Sequence, residues 1–394
     1  MRPKMLFIVL LVLLFLPPSS VSATPSEQTG QVNVDQMLEQ QLSDLDTSRL
    51  EPFLNQLEEE YAGYLPDLSL QGVIQALREQ KGVSAGDILN VLLKLAFKEI
   101  TGQSALLIRL LVLSLLCVLL QHLHEAVDGK VASIAYLICY LVIMGFALQS
   151  FGLALSVTRG ALMTMVNFVQ ALYPLLLTVL LAIGNVSSAA LFSPMLMVVL
   201  TGITTLIVNL AVPLIFFAGV LILVDNLSEN IKVSRLAHLL RDVGAGLMGV
   251  LFMVFVGFNI AQATVGAVTD GVAFRAGKFA VKAFLPVVGT LISDGFEMVA
   301  GCSALVNNSL SFIGCVGVLL YCALPAIKLV GMLIIYRVSS AVVQPIGGGR
   351  LSGALNDIAG IFAYFFGALA LVGILLFMMI TIVVSTGNSA LMLR

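Results

Sequence analysis

The sequence predicts an all-α, polytopic helical membrane protein with an internal duplication and a small helical extracytoplasmic region at its N-terminus. Hydrophobic residues make up 59% of the chain and charged residues only 11%, whereas a soluble domain carries about 25% charge. Mean hydropathy is +1.05. Apolar stretches recur from residue 104 onwards, and most approach the length of about 20 residues that one membrane crossing needs.

The duplication is indicated by a match of the sequence with itself. A shift of 112 residues places Pro213 on Pro325, inside two similar apolar stretches. A shift of 115 places an Arg-Leu…Leu-x-Asp motif that starts at Arg235 on a second copy that starts at Arg350. Paired membrane repeats of this kind build the pathway of many transport folds. The predicted repeats are residues 160–268 and 272–384.

The N-terminus predicts an export signal. Arg2 and Lys4 precede the apolar run Met5–Leu16, which is too short to span a bilayer comfortably. Small residues at 21–23 then fit a cleavage site, so residues 1–23 are predicted to be a signal peptide that is removed after Ala23. The alternative is an uncleaved membrane anchor.

Residues 24–102 are predicted to form an acidic helical region outside the cytoplasm. Leucines recur at helical spacing between Leu38 and Leu57, and Glu51-Pro52 suits the first turn of a helix. A second amphipathic helix is predicted over 68–80, and the segment 84–87 resembles a cap before a third.

The rest of the chain predicts seven or eight membrane spans. Two spans are expected within residues 103–158, before the repeats begin. The predicted spans, in chain order, are 104–120, 131–155, 161–183, the stretch 189–224, which is long enough for two, then 244–268, 310–336 and 358–384. The short stretch Ala283–Ile292 is a weak further span or a re-entrant segment, and whether it crosses decides whether the repeats are parallel or inverted.

Basic residues orient the chain and indicate a docking helix. The loops 225–242 and 337–357 carry Lys and Arg, so both are predicted to be cytoplasmic. The first loop is amphipathic and could contact a cytoplasmic partner such as an ATPase; the alternative is a helix lying along the membrane surface. The docking residues predicted there are Arg235, Leu236, Leu239, Leu240 and Asp242.

Two prolines predict helix breaks near the middle of the membrane. Pro213 and Pro325 each lack a backbone donor, and the carbonyl groups they free must face protein or water. Lys328 is the only charge near either proline. The hypothesis is a polar seam between the repeats that moves or conducts; the alternatives are a structural kink and a lysine that snorkels to the interface.

No constellation predicts catalysis, a metal or a cofactor. His122, His124 and Glu125 lack the spacing of a zinc protease helix. The glycines at 347–349 lack the Lys-Ser/Thr of a phosphate loop. The five cysteines show no paired spacing, and a net charge of −2 gives no indication of nucleic-acid binding.

Three segments resemble the stage III sporulation protein AE family of endospore-forming bacteria. They are Glu58–Asp67, Phe284–Gly301 and Gly349–Gly360. The resemblance implies a role in a multi-protein, secretion-like complex made by the mother cell, placed in the outer forespore membrane and joined to the forespore across the intermembrane space. The implied partners are the other membrane proteins and the ATPase of that complex, together with membrane lipid.

The leading function is therefore a non-enzymatic membrane component of a sporulation channel that links mother cell and forespore. The alternative is a stand-alone permease, or an ABC-type membrane subunit, that moves a small solute. Neighbouring genes for sporulation proteins and a secretion-type ATPase would favour the first, and a gene for a solute-binding protein would favour the second. An intramembrane enzyme would require His122, His124 or Glu125 to be essential.

Overall fold

The computed structural model of the chain describes residues 47–61, 85–127, 130–182, 193–227, 232–284, 289–346 and 349–392. These residues are helical almost throughout, which confirms the all-α class. The α-helices are α1 (Glu51–Glu60), α2 (Ala85–Gly102), α3 (Ser104–Val127), α4 (Lys130–Ala182), α5 (Ser193–Leu206), α6 (Val212–Leu227), α7 (Ser234–Phe284), α8 (Gly289–Val343) and α9 (Gly349–Met392). A π-helix, Ile207–Ala211, joins α5 to α6, and 3-10 turns occupy Thr47–Arg49 and Gln344–Ile346.

Six helical segments in the described ranges are long and apolar enough to cross a membrane, so the chain is a multi-pass membrane protein. They are Ser104–His122, Ile134–Ala182, Pro194–Asp225, Ser234–Ala261, Ser309–Ile346 and Gly349–Val384. The two spans predicted on either side of residue 158 form one continuous helix, α4. Polar residues at 156–159 do not stop a helix, and Gly160 costs only about 1 kcal/mol relative to alanine. The weak span Ala283–Ile292 falls partly outside the described residues.

The bundle is taller than one bilayer. The 53 residues of α4 extend about 80 Å, whereas the hydrocarbon core is about 30 Å thick. The shorter α3 runs beside only the last part of α8: Gln103 lies 3.3 Å from a Cβ built on Gly331, and a ring nitrogen of His122 lies 2.7 Å from the Ile346 carbonyl oxygen. About three-quarters of α8, the part before Gly331, therefore extends beyond the level at which α3 begins.

The centre of the bundle is the antiparallel pair α8 and α9, with α4 packed against both. The hydroxyl groups of Ser340 and Ser352 lie 3.0 Å apart where the pair turns, and each also donates to the other residue's carbonyl oxygen. Further along, Gly317 lets α8 approach α4, because a Cβ at this position would overlap the ring of Phe168. The core between these helices is dominated by aliphatic and phenylalanine side chains.

The N-terminal residues that are described pack onto this bundle. Helix α1 begins at Glu51 with Pro52 in its first turn, as the sequence predicts. Its buried face consists of Leu54 and Leu57, and it is flanked by buried Leu50 and Tyr61. The predicted signal peptide and the helix predicted over 68–80 lie outside the described residues.

The helix breaks predicted at the two prolines differ from what the structure contains. Helix α8 runs through Pro325 without interruption, because a proline removes only one hydrogen bond and a packed helix can tolerate that loss. Before Pro213 the chain instead widens into the π-helix Ile207–Ala211, in which the Val212 amide donates to the Ile207 carbonyl oxygen. A shift of 112 places this π-helix on residues 319–323 of α8, which stay α-helical.

The two helices that carry the prolines of the predicted seam are not each other's main packing partners. Helix α6, which carries Pro213, packs against α4, α7 and α9. Helix α8, which carries Pro325, packs mainly against α9, α4, α3 and α2. Helices α4 and α9 thus contact both proline-bearing helices.

Candidate functional site

A stripe of polar side chains follows the outer surface of the bundle along α4 and α5. On α4 its members recur every three or eight residues, so they share one helical face. The polar stripe consists of Ser156, Arg159, Asn167, Gln170 and Thr178 on α4, with Thr201, Thr205 and Asn209 on α5 and the π-helix. All are exposed except Thr201, which is half-buried. From Ser156 to Thr178 the stripe extends about 33 Å along α4.

Two hydrogen bonds join the halves of the polar stripe. The Arg159 guanidinium donates to Asn209 Oδ1 at 3.3 Å, and the Gln170 amide donates to Thr201 Oγ1 at 3.5 Å. Beside them an open groove of about 620 Å³ is lined by Met197, Val198, Thr201, Gly202, Thr205 and Leu206. Arg159 is the only charged residue in the apolar segment Ile134–Ala182.

A second polar feature joins α1 to α8 one turn before Pro325. The Tyr61 hydroxyl donates to the Leu320 carbonyl oxygen at 2.6 Å, and the Tyr321 hydroxyl donates to the Phe53 carbonyl oxygen at 2.6 Å. Burial raises the pKa of Tyr61, the Glu60 carboxylate raises it further, and a backbone hydrogen bond at Leu324 lowers it. The phenol therefore remains a protonated donor at neutral pH.

Aromatic packing supports the same junction. Phe53 meets the ring of Phe168 edge-on at 6.0 Å and the ring of Tyr321 at 6.4 Å, while Phe168 and Tyr321 lie 5.4 Å apart. Each such pair contributes about 0.5–1.5 kcal/mol beyond its buried area. Helix α1 is thus fastened to α4 and α8 together.

The opposite end of the bundle holds the polar residues of the repeated Arg-Leu…Leu-x-Asp motif. Asp225 caps α7, since its Oδ1 accepts from the amides of Val233 at 2.6 Å and Ser234 at 2.8 Å. The Arg241 guanidinium lies 3.0 Å from Asp242 and 5.6 Å from the centre of the Tyr364 ring on α9. Charged groups of α6 and α7 therefore lie at this end, beside the aromatic ring of Tyr364 on α9.

The two copies of the motif differ in burial. In the first copy, Leu236 is 49% exposed and Leu239 is 58% exposed, while Arg235 and Asp242 are exposed and Leu240 is half-buried. In the second copy, the matching apolar residues Leu351, Ala354 and Leu355 are all buried against the bundle. The first copy thus presents to the outside the face that the second copy packs inside.

The remaining predicted residues are scattered. Lys328 is half-buried on α8 within the apolar segment Ser309–Ile346. His122 is exposed near the end of α3, and its ring nitrogen Nε2 forms a hydrogen bond with the Ile346 carbonyl oxygen. His124 and Glu125 lie on α3, and their side chains are outside the described set.

The polar stripe is hidden in the sequence by the apolar runs that surround it. Its signal is nevertheless present, because the polar residues between Ser156 and Thr178 recur at helical spacing, first between two predicted spans and then within the second of them. Its partner residues on α5 could be recognised only once α4 and α5 were seen side by side.

Together, the fold and these surfaces define a multi-pass helical membrane protein with a polar stripe on the outside of an apolar bundle. The model of the family described as stage III sporulation protein AE matches residues 68–387. The stage III sporulation protein AE of Bacillus subtilis (strain 168) is 34% identical over 361 residues, covering 91% of this chain and 90% of that protein. The chain therefore belongs to the stage III sporulation protein AE family and has a role in sporulation. No solved structure matches it.

Proposed function

We propose that this chain is a non-enzymatic membrane component of a channel or secretion-like complex that links mother cell and forespore. The observation that carries the proposal is the position of the polar stripe. The stripe lies on the outside of the bundle, beside large exposed apolar side chains such as Met195 (55% exposed) and Val198 (72% exposed). Such a surface suits contact with other subunits.

Neither lipid alone nor water alone suits both the polar stripe and the apolar side chains beside it. If lipid covers this surface, the exposed guanidinium and amides are costly, because hydrocarbon offers them no hydrogen bonds. If water covers it, the exposed methionine, valine and leucine form an apolar patch that monomers rarely keep. Contact with other proteins, with water in between, satisfies both kinds of side chain.

The interior of the bundle favours a complex component over a stand-alone permease. A permease holds its polar pathway between its own helices. Here the buried polar side chains of the described residues are all uncharged serine, threonine or asparagine. The charged and amide groups of α4 and α5 lie instead on the outer surface, where a pathway would need further subunits to close it.

The remaining parts of the proposal concern placement. The N-terminal region would follow a signal peptide cleaved after Ala23 and lie between the two membranes, with the chain in the outer forespore membrane. Helix α1 packs on the part of α8 that extends beyond α3, away from the basic loops that favour the cytoplasm. The exposed start of α7 would contact the ATPase of the complex.

The experiment replaces the polar stripe with apolar residues. Asn167→Leu combined with Gln170→Leu should leave the amount of this chain normal, because both side chains are exposed. Recovery of the other membrane proteins of the complex with this chain should fall about tenfold, since lost hydrogen bonds that sum to about 1.4 kcal/mol change an equilibrium by that factor. Spore formation should fall with it.

The matched control is Met253→Leu, at a residue of α7 that is 74% exposed on a different face. This control should assemble and sporulate normally. Normal assembly and sporulation with the double variant would contradict the proposal and favour a stand-alone permease.

A further inference from the structure

We propose that the polar stripe lines a water-filled passage of the assembled complex and that Arg159 gives this passage a preference for anionic solutes. The inference rests on the proposed function, because the passage is closed by other subunits or by further copies of this chain.

The composition of the polar stripe fits contact with water. Apart from Arg159 its members are Ser, Thr, Asn and Gln, whose hydroxyl and amide groups both donate and accept hydrogen bonds. The two bonds within the stripe, Arg159 to Asn209 and Gln170 to Thr201, use only part of this capacity. Gly160 and Gly202 lie beside it with nothing within 4 Å of a built Cβ, so the surface there is open.

The charge of Arg159 acts without a local counter-charge on its own helix. It is the only charged residue of Ile134–Ala182, and the facing segment Pro194–Asp225 carries a charge only at Asp225, at its far end. Its described partner, the Asn209 side chain, is neutral. Rings or rows of Arg in a narrow passage favour anions, because apolar walls strengthen the field of an unopposed charge.

The test measures access and charge at introduced cysteines, in membranes that contain the assembled complex. The five native cysteines are first replaced, and Ser156→Cys, Thr178→Cys or Thr205→Cys is added singly. An anionic and a cationic methanethiosulfonate of similar size are then compared. All three positions should react with these water-soluble reagents, whereas Met253→Cys, on an exposed apolar face, should react far more slowly with both.

Charge preference is measured at Ser156→Cys, one turn from Arg159. Arg159→Gln should lower the ratio of anionic to cationic reaction rates roughly 2- to 7-fold, which is the effect of removing one unit charge about 7 Å away in salt-screened water. Arg159→Lys should preserve the ratio, because it keeps the charge.

Two results would overturn the inference separately from the proposed function. Unreactive cysteines in the polar stripe, in a complex that still assembles, would show that protein covers the stripe and that it lines no passage. An unchanged rate ratio in Arg159→Gln would show a passage without charge preference. By contrast, reactive cysteines in a chain that associates with no sporulation protein would contradict the proposed function and leave the passage intact.

Discussion

At the scale of single residues, two tyrosine hydroxyl groups join α1 to the turn of α8 that precedes Pro325. The Tyr61 hydroxyl donates to the Leu320 carbonyl oxygen, and the Tyr321 hydroxyl donates to the Phe53 carbonyl oxygen. Pro325 cannot donate to the Tyr321 carbonyl oxygen, and the Tyr61 bond, which lies one residue earlier, does not replace that donor. These two hydrogen bonds therefore hold α1 against α8.

Removal of the Tyr61 hydroxyl tests how far this hydrogen bond holds α1 against α8. Tyr61→Phe keeps the ring but leaves a buried carbonyl oxygen without this donor, which should cost about 1–2 kcal/mol. Helix α1 should then detach about 5 to 30 times more often, since 1.4 kcal/mol corresponds to tenfold. Amide hydrogen exchange across Glu51–Glu60 measures that opening.

The control for Tyr61→Phe is Glu58→Gln, which lies on the same helix with an exposed side chain. Its exchange rates should match those of the unchanged protein. Equal protection of α1 in Tyr61→Phe and the control would show that this hydrogen bond does not hold the helix.

At the scale of helices, the start of α7 is an apolar face without a partner in the described chain. Its counterpart at the start of α9 is buried by α8. This difference in burial follows from the connecting segments that precede the two helices. The turn Gln344–Ile346 returns α9 closely along α8. The cap formed by Asp225 fixes the first turn of α7 but leaves Leu236 and Leu239 on the outside.

Polar substitution of this face tests the proposed ATPase contact. Leu236→Ser with Leu239→Ser should reduce recovery of the ATPase with this chain more than tenfold, because each leucine buried at an interface contributes about 1.5–3 kcal/mol. The amount of the chain in the membrane should stay normal. Affinity purification from sporulating cells measures both quantities.

The matched control changes Val338 and Val342, which are each 40% exposed on α8 near the same end of the bundle. Serine at both positions should leave ATPase recovery unchanged. If the leucine and valine variants behave alike, the start of α7 is only a helix at the membrane surface.

At the scale of the whole molecule, the sequence predicts an all-α membrane protein but not how far each helix continues. Hydropathy predicts helices and crossings because lipid excludes unpaired backbone groups, so the all-α membrane class follows from composition alone. The start of α1 at Glu51-Pro52 likewise follows from local rules. The continuity of a helix does not follow from such rules. The apolar runs 131–155 and 161–183 are predicted as separate spans, whereas one helix runs through the polar residues between them.

The candidate surface was beyond prediction for a related reason. The polar residues of α4 are visible in the sequence, but their exposure depends on which face α8 and α9 cover. The junction of Tyr61 with Leu320 joins residues 259 positions apart, and no local pattern specifies such a pair. The internal duplication stays a prediction.

The most direct measurement of the central claim is the environment of the polar stripe in native membranes. A nitroxide label at Thr205 is compared with a label at Met253, an exposed residue of α7. Collision with oxygen, which concentrates in lipid, is measured by power saturation in the assembled complex. We expect low oxygen collision at Thr205 and high collision at Met253. Equal, high collision at both positions would place the polar stripe in lipid and contradict its assignment as a surface that faces water or other subunits.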